Sequence, residues 1–354
     1  MMHAYFSDDQ LRHHGKTFIV AGEKKPIPEV PERAEILSGA VSRLGLDLHA
    51  PNDAGMAPIS AIHDGRYLNF LQSIYPEWQA AGGSELVIPN IHPFDRNGPY
   101  PRHHVGRAGF HLGDTSCPVS ATTWHSAYAS AQTAISATHH VRDGGANSAY
   151  ALCRPPGHHA SRTIAGGFCY LNNSAIAAQE LRAKYDRVAI LDVDLHHGNG
   201  TQHIFYDRSD VMTLSIHADP HDFYPFFWGH GEETGEGDGI GFNHNIPLPL
   251  GSGDGVFLDA LDRTLAKIDD FGADAVVVAL GLDASRDDPF GGLTVSPDGF
   301  AKIGEKIGTL RCPTVLVQEG GYVSDTLAEN LYQFISGFSA TKDRNDVTIS
   351  EGPK

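Results

Sequence analysis

From residue 120 onward, short apolar runs of strand length alternate with longer segments of helical period. The runs are Ser148–Cys153, Arg187–Asp192, Val211–His217, Asp274–Leu280 and Pro313–Gln318. Between them lie Thr122–Arg142, Asn173–Lys184, Gly255–Phe271 and Pro297–Leu310. Uninterrupted apolar stretches such as Val188-Ala189-Ile190-Leu191 suit strands buried on both faces. Strands that alternate with helices are joined by right-handed crossovers. The expected fold is therefore α/β, a single domain on a mostly parallel multi-stranded sheet with helices on both faces. Asn172 or Asn173 is placed to cap the second helix, and Pro297 to open the fourth after Ser296. Two long stretches break the pattern, Pro89–Pro118 and Ala218–Gly241, the latter with the aromatic run Phe223–Trp228. Loops of that length in a compact domain are functional or interfacial. Residues 1–340 read as one domain, and Thr341–Lys354 as a polar, frayed tail.

Composition removes several classes of function. The chain has 354 residues, 41% of them apolar, enough for a sizeable core, and no run of ~18 apolar residues to span a membrane. Its first residues lack a basic region followed by an apolar stretch, so no signal peptide is expected. Four cysteines show no paired metal spacing and read as reduced cytosolic thiols. A formal charge of −17 argues against nucleic acid and favours cationic ligands.

The chemistry collects where the strands end. Asp194 and His196 lie in Asp192-Val193-Asp194-Leu195-His196-His197-Gly198-Asn199-Gly200, and Asp283 lies in Gly281-Leu282-Asp283, about ninety residues later. In open α/β sheets, ligands bind outside the carboxyl ends of the strands, so the two segments converge. Two carboxylates and an imidazole with a free position suit a hydrolytic zinc or similar divalent ion. The first strand runs into Arg154-Pro155-Pro156-Gly157-His158-His159, which turns two imidazoles toward the same edge for proton transfer. The last runs into Glu319-Gly320-Gly321-Tyr322, which offers a phenol as oxyanion donor. Asp192 and Asn199 are placed to orient the two histidines. Asp192 is also placed to hold a monovalent cation.

These motifs resemble the histone deacetylase superfamily. They are Arg154–His159, Gly166–Asn173, Asp192–Gly200, Gly281–Pro289 and Glu319–Tyr322, in family order. The resemblance implies an arginase-deacetylase fold and zinc on Asp194, His196 and Asp283, with Fe2+, Co2+ or Mn2+ as substitutes. It makes His159 the general base and then acid, His158 its electrostatic partner and Tyr322 the oxyanion donor. Gly167, Phe168 and Tyr224 would line the substrate tunnel. One structural potassium would sit on Asp192, Asp194, His196, Ser215 and Ile216, and a second on Phe205, Arg208 and Val211.

Within the superfamily the chain looks most like the bacterial, cytoplasmic acetylpolyamine amidohydrolases. The similar segments are Tyr5–Asp9, Pro31–Ala34, Ile62–Leu71 and Tyr224–Gly235. In such proteins an insertion matching residues 85–118 mediates homodimerisation and narrows the tunnel to slender aliphatic amines. The substrate would be a small cationic acetylated amine, drawn to Asp114 at the rim. Arg107 stands where a further glutamate is expected, which favours short diamines such as acetylputrescine or acetylcadaverine. Three other readings remain: a deacetylase of acetyllysine peptides, an arginase-like two-manganese site using Asp287 and Asp288, and a sensor that binds acetylated amines without turnover.

Overall fold

A computed structural model describes residues 2–350, with side chains as far as Arg344. Its strands are β1 (His3–Tyr5), β2 (Thr17–Val20), β3 (Glu23–Pro26), β4 (Leu48–His49), β5 (Ser148–Ala151), β6 (Val188–Asp192), β7 (Val211–Ala218), β8 (Asn243–Leu248), β9 (Ala275–Leu280) and β10 (Thr314–Gln318). Its helices are α1 (Pro31–Arg43), α2 (Ala57–Ser60), α3 (Gly65–Ala80), α4 (His104–His111), α5 (Thr123–Arg142), α6 (Asn173–Leu181), α7 (Asn199–Phe205), α8 (Asp254–Phe271), α9 (Pro297–Ile307) and α10 (Leu327–Ser350). Among the described residues, eight strands form one parallel sheet in the order β4-β1-β5-β10-β9-β6-β7-β8. Strands β2 and β3 pair separately as an antiparallel hairpin.

Side-chain alternation along the central strands divides the interior in two. Val276, Val278 and Leu280 of β9 join Leu191 of β6 and Leu316 of β10 against α1, α8, α9 and α10. Ala275 and Val277 join Ile190, Val315 and Val317 against α3, α5 and α6. Apolar residues on both faces explain the uninterrupted runs in the sequence. The helix ends follow the expected chemistry: Asn172 Oδ1 accepts from Ala175 N, and Ser296 Oγ accepts from Gly299 N with Pro297 next to it.

Three elements depart from the expectations. Strand β8 carries Asn243-His244-Asn245-Ile246-Pro247-Leu248, too polar to read as a strand, and survives as an edge strand paired only with β7. Helix α4 forms inside the segment expected to be irregular. Helix α10 runs on into the segment expected to be a frayed tail. Residues 351–354 lie outside the described residues.

Strand order positions the site. From β6 the chain steps outward through β7 to β8, then returns so that β9 lies on the other side of β6. The connections leave β6 and β9 in opposite directions, and the crevice between them is the switch point where α/β sheets bind ligands.

Candidate active site

Asp192 at the end of β6 is in register with Ala279 on β9, so the segments that follow leave the sheet side by side. The three candidate ligands meet there, all buried, with ligand atoms within 4.8 Å of one another. His196 Nδ1 lies 3.2 Å from Asp194 Oδ1 and 3.1 Å from Asp283 Oδ2. Backbone amides fix the carboxylates: Leu195 N donates to Asp283 Oδ1 at 3.0 Å, and Gly320 N to Asp194 Oδ2 at 2.8 Å. Gly320 is required, because a Cβ there would stand 2.2 Å from Asp283 Oδ2 and 2.5 Å from Asp194 Oδ2.

The electrostatics fit a cation. Burial would lower the pKa of His196, yet its hydrogen bonds to Asp194 and Asp283 raise it to about 9. Burial and the charge of Asp194 push Asp283 up. Two buried carboxylates and one imidazole so close together are a donor set that suits a divalent ion. His158, Cys169 and Glu319 also lie within 4.8 Å of one another. There, burial and Glu319 hold the Cys169 thiol protonated, and Glu319 is committed to Gly157 N, His158 N and Ser174 Oγ. That group is a structural knot, not a ligand set.

The two adjacent histidines have different partners. His158 Nδ1 meets Asp192 Oδ2 at 2.9 Å, and His159 Nδ1 meets the Asn199 amide oxygen at 2.6 Å. Burial opposes charge on His158, but Asp194 and Asp192 outweigh it and raise the group to about 10. His159 is driven well below its ordinary value by burial and then by His158 and His196. The surroundings thus favour the charged form of His158 and the neutral form of His159. Since Asn199 engages Nδ1, Nε2 of His159 is the free base.

Aromatic rings build the walls. Phe168, at φ +68°, sits 5.7 Å from Phe18 of the hairpin, 5.9 Å from Tyr322 and 6.3 Å from Phe290. Positive φ in a bulky residue is strained and persists only where the surroundings impose it. Tyr224 stands edge-on to His159 at 5.1 Å. Asp114 Oδ2 accepts from the Tyr224 hydroxyl at 2.6 Å and from Gly167 N at 3.1 Å, so its carboxylate braces the wall. Burial raises the Tyr322 phenol well above its ordinary value, helped by Asp283, Asp194 and Asp288 and opposed by Arg33, so it stays protonated.

Other expected residues lie farther out. Asp192 and Ser215 line a small polar cavity with His197, Thr201 and Gln202, while Ile216 follows along β7. Phe205, Arg208 and Val211 lie near the opposite end of β7, where Arg208 N donates to Phe205 O at 3.0 Å. Arg107 does not face the site. Its guanidinium pairs with Glu77 on α3 and reaches Ser73 Oγ at 3.1 Å.

Comparison with known proteins agrees with this geometry. The histone deacetylase domain pattern matches residues 27–338. The chain belongs to the histone deacetylase family. Members of this family are metal-dependent deacetylases, and the chain is a hydrolase of that class. An acetylpolyamine amidohydrolase of Burkholderia pseudomallei is 48% identical over 96% of this chain and 100% of its own length. Acetylpolyamine amidohydrolase 1 of Pseudomonas aeruginosa is 42% identical over 95% of this chain and 99% of its own. A crystal structure of acetylpolyamine aminohydrolase from Burkholderia pseudomallei superposes with a TM-score of 0.93, covering 96% of this chain and 99% of that one. A crystal structure of the HDA15 HD domain, at 24% identity and a TM-score of 0.77, shares the fold.

Several contributors escaped the sequence reading. Ile27 packs with Phe168 and Tyr322, and Phe290 lies 4.8 Å from the Tyr322 ring. Arg33 stacks 4.7 Å over that ring and donates to Gly321 O and Glu319 O. Only the unusual Arg33 within an otherwise apolar helix face signalled its role.

Proposed function

We propose that this chain removes acetyl groups from small acetylated polyamines and diamines. The observation that carries the reading is the buried Asp194–His196–Asp283 set beside His159, with the rings of Phe168, Tyr224 and Phe290 around it. The full-length similarity to proteins named acetylpolyamine amidohydrolases supports the substrate class. Zinc is the ion proposed for Asp194, His196 and Asp283, with Fe2+, Co2+ or Mn2+ as substitutes. When bound, such an ion supplies Lewis-acid polarisation of a carbonyl and brings the pKa of a water toward ~7.

His159 Nε2 takes the proton of the attacking water, while Asn199 holds Nδ1 and fixes the tautomer. The same Nε2–H then protonates the departing amine, which leaves poorly without it. His158, held cationic by Asp192, keeps His159 neutral until that proton arrives. Tyr322 donates its hydroxyl to the oxyanion. Phe168, Tyr224 and Phe290 exclude water and fit a methylene chain.

Short acetyldiamines such as acetylputrescine and acetylcadaverine are the proposed substrates, with Arg107, here paired to Glu77, standing where a further glutamate is expected. We also propose potassium at Asp192, Asp194, His196, Ser215 and Ile216, and at Phe205, Arg208 and Val211. Residues 85–118, with exposed Ile91 and Phe94, would form a homodimer contact. No described helix is long and apolar enough to cross a membrane. The test is kcat/KM of zinc-loaded protein on acetylputrescine, acetylcadaverine, acetylspermidine and an acetyllysine peptide. Preference for the free amines is expected, and preference for the peptide would overturn the substrate class.

A further inference from the structure

Tyr322 ends a loop that begins Glu319-Gly320-Gly321. Gly321 sits at φ +109°, where its lack of a Cβ gives little resistance to rotation. A phenol that must reach one developing charge cannot ride on a free hinge. Arg33 holds the residues before it through Gly321 O and Glu319 O. The amide of Tyr322 itself goes elsewhere: it donates to Asp288 Oδ2 at 2.9 Å.

The other oxygen of that carboxylate is also used. Asp288 Oδ1 accepts from Phe290 N at 2.9 Å. The Phe290 ring lies 4.8 Å from the Tyr322 ring at 72°, and 5.2 Å from the His196 ring. One buried side chain thus ties the backbone of the oxyanion donor to the ring that separates it from the metal ligand. Among the described residues Asp288 forms no ion pair, and its carboxyl oxygens meet only these two backbone amides. Burying an unpaired carboxylate is costly, and both of its oxygens are spent on this loop junction.

We propose that Asp288 is a positioning residue that acts through Tyr322: it holds the phenol in register with the metal ligands without touching substrate. The inference rests on Tyr322 as oxyanion donor. A double-mutant cycle separates the two. Asp288→Asn, Tyr322→Phe and the double variant are compared in zinc-loaded form by kcat, KM, bound zinc and melting temperature. Asp288→Asn should lose about 10–100-fold in kcat, as expected for misplacement near 1 Å. KM and zinc content should stay near parental. In the Tyr322→Phe background the same substitution should change kcat by less than about threefold, because the hydroxyl it positions is gone.

A loss that multiplies onto Tyr322→Phe would overturn the inference and leave the donor assignment standing. Near-parental turnover by Tyr322→Phe alone would remove the donor assignment itself. Asp288→Ser, which keeps one short acceptor, is carried in parallel. If neither Asp288 variant keeps the parental fold, the residue belongs to the fold and the proposal fails.

Discussion

The floor of the site and its rim share one edge of the sheet but are built differently. On the floor, His158, His159, Asp194, His196, Asp283 and Glu319 are all buried, and each has a named partner. On the rim, strand β3 is exposed along its length, and Ile91 and Phe94 stand in solvent. The floor hangs from the central strands β5, β6, β9 and β10, which are covered on both faces. The rim hangs from a hairpin and a long segment that is anchored through Val87, Ala108, Leu112 and Cys117 but exposes Ile91 and Phe94. Chemistry that needs placement to a fraction of an ångström sits on the stiff part, and on the proposed reading selection among substrates falls to the part that tolerates change.

Substitutions can break that comparison. The largest loss should follow Asp283→Asn, which removes a ligand charge: zinc stoichiometry and turnover should both collapse, by at least about 10³-fold in kcat. Retained zinc and turnover would detach Asp283 from the metal. Next, His159→Ala should keep zinc and lose about 10²–10⁴-fold, the range of general acid–base catalysis. Steady-state kinetics with elemental analysis reads both.

A smaller effect concerns stability. Burial lowers His13, His63, His111 and His217 to about 4 from 6.5. Each is depressed in the fold, so its contribution is present above about 6.5 and is lost as pH falls toward 4. The melting temperature should therefore decline between pH 6.5 and 4, and a flat profile across that window would contradict it. The smallest change is expected at the rim: Arg107→Ala breaks the tie to Glu77 and should alter kcat on acetylputrescine less than about threefold. A loss on the scale of His159→Ala would erase the distinction between floor and rim.

The central strands were legible because burial on both faces leaves an uninterrupted apolar run. Strand β8 was not, since an edge strand with one neighbour tolerates Asn243, Asn245 and Pro247. The convergence of Asp194, His196, Asp283 and His159 was legible because each lies beside its strand end in a short motif. Asp288 and Arg33 were obscure for the opposite reason: their work depends on which distant backbone groups they meet. The Arg107–Glu77 pair was not legible, because a charge in a linear sequence carries no address and its partner lies thirty residues earlier.

The place of β9 between β6 and β10 has a consequence for synthesis. Asp194 and His196 leave the ribosome long before Asp283, and Tyr322 follows later still, so a chain interrupted before residue 283 holds two of the three candidate ligands and no Tyr322. On the proposed roles the set is complete only once Tyr322 has been made, and a copy broken before it lacks the phenol.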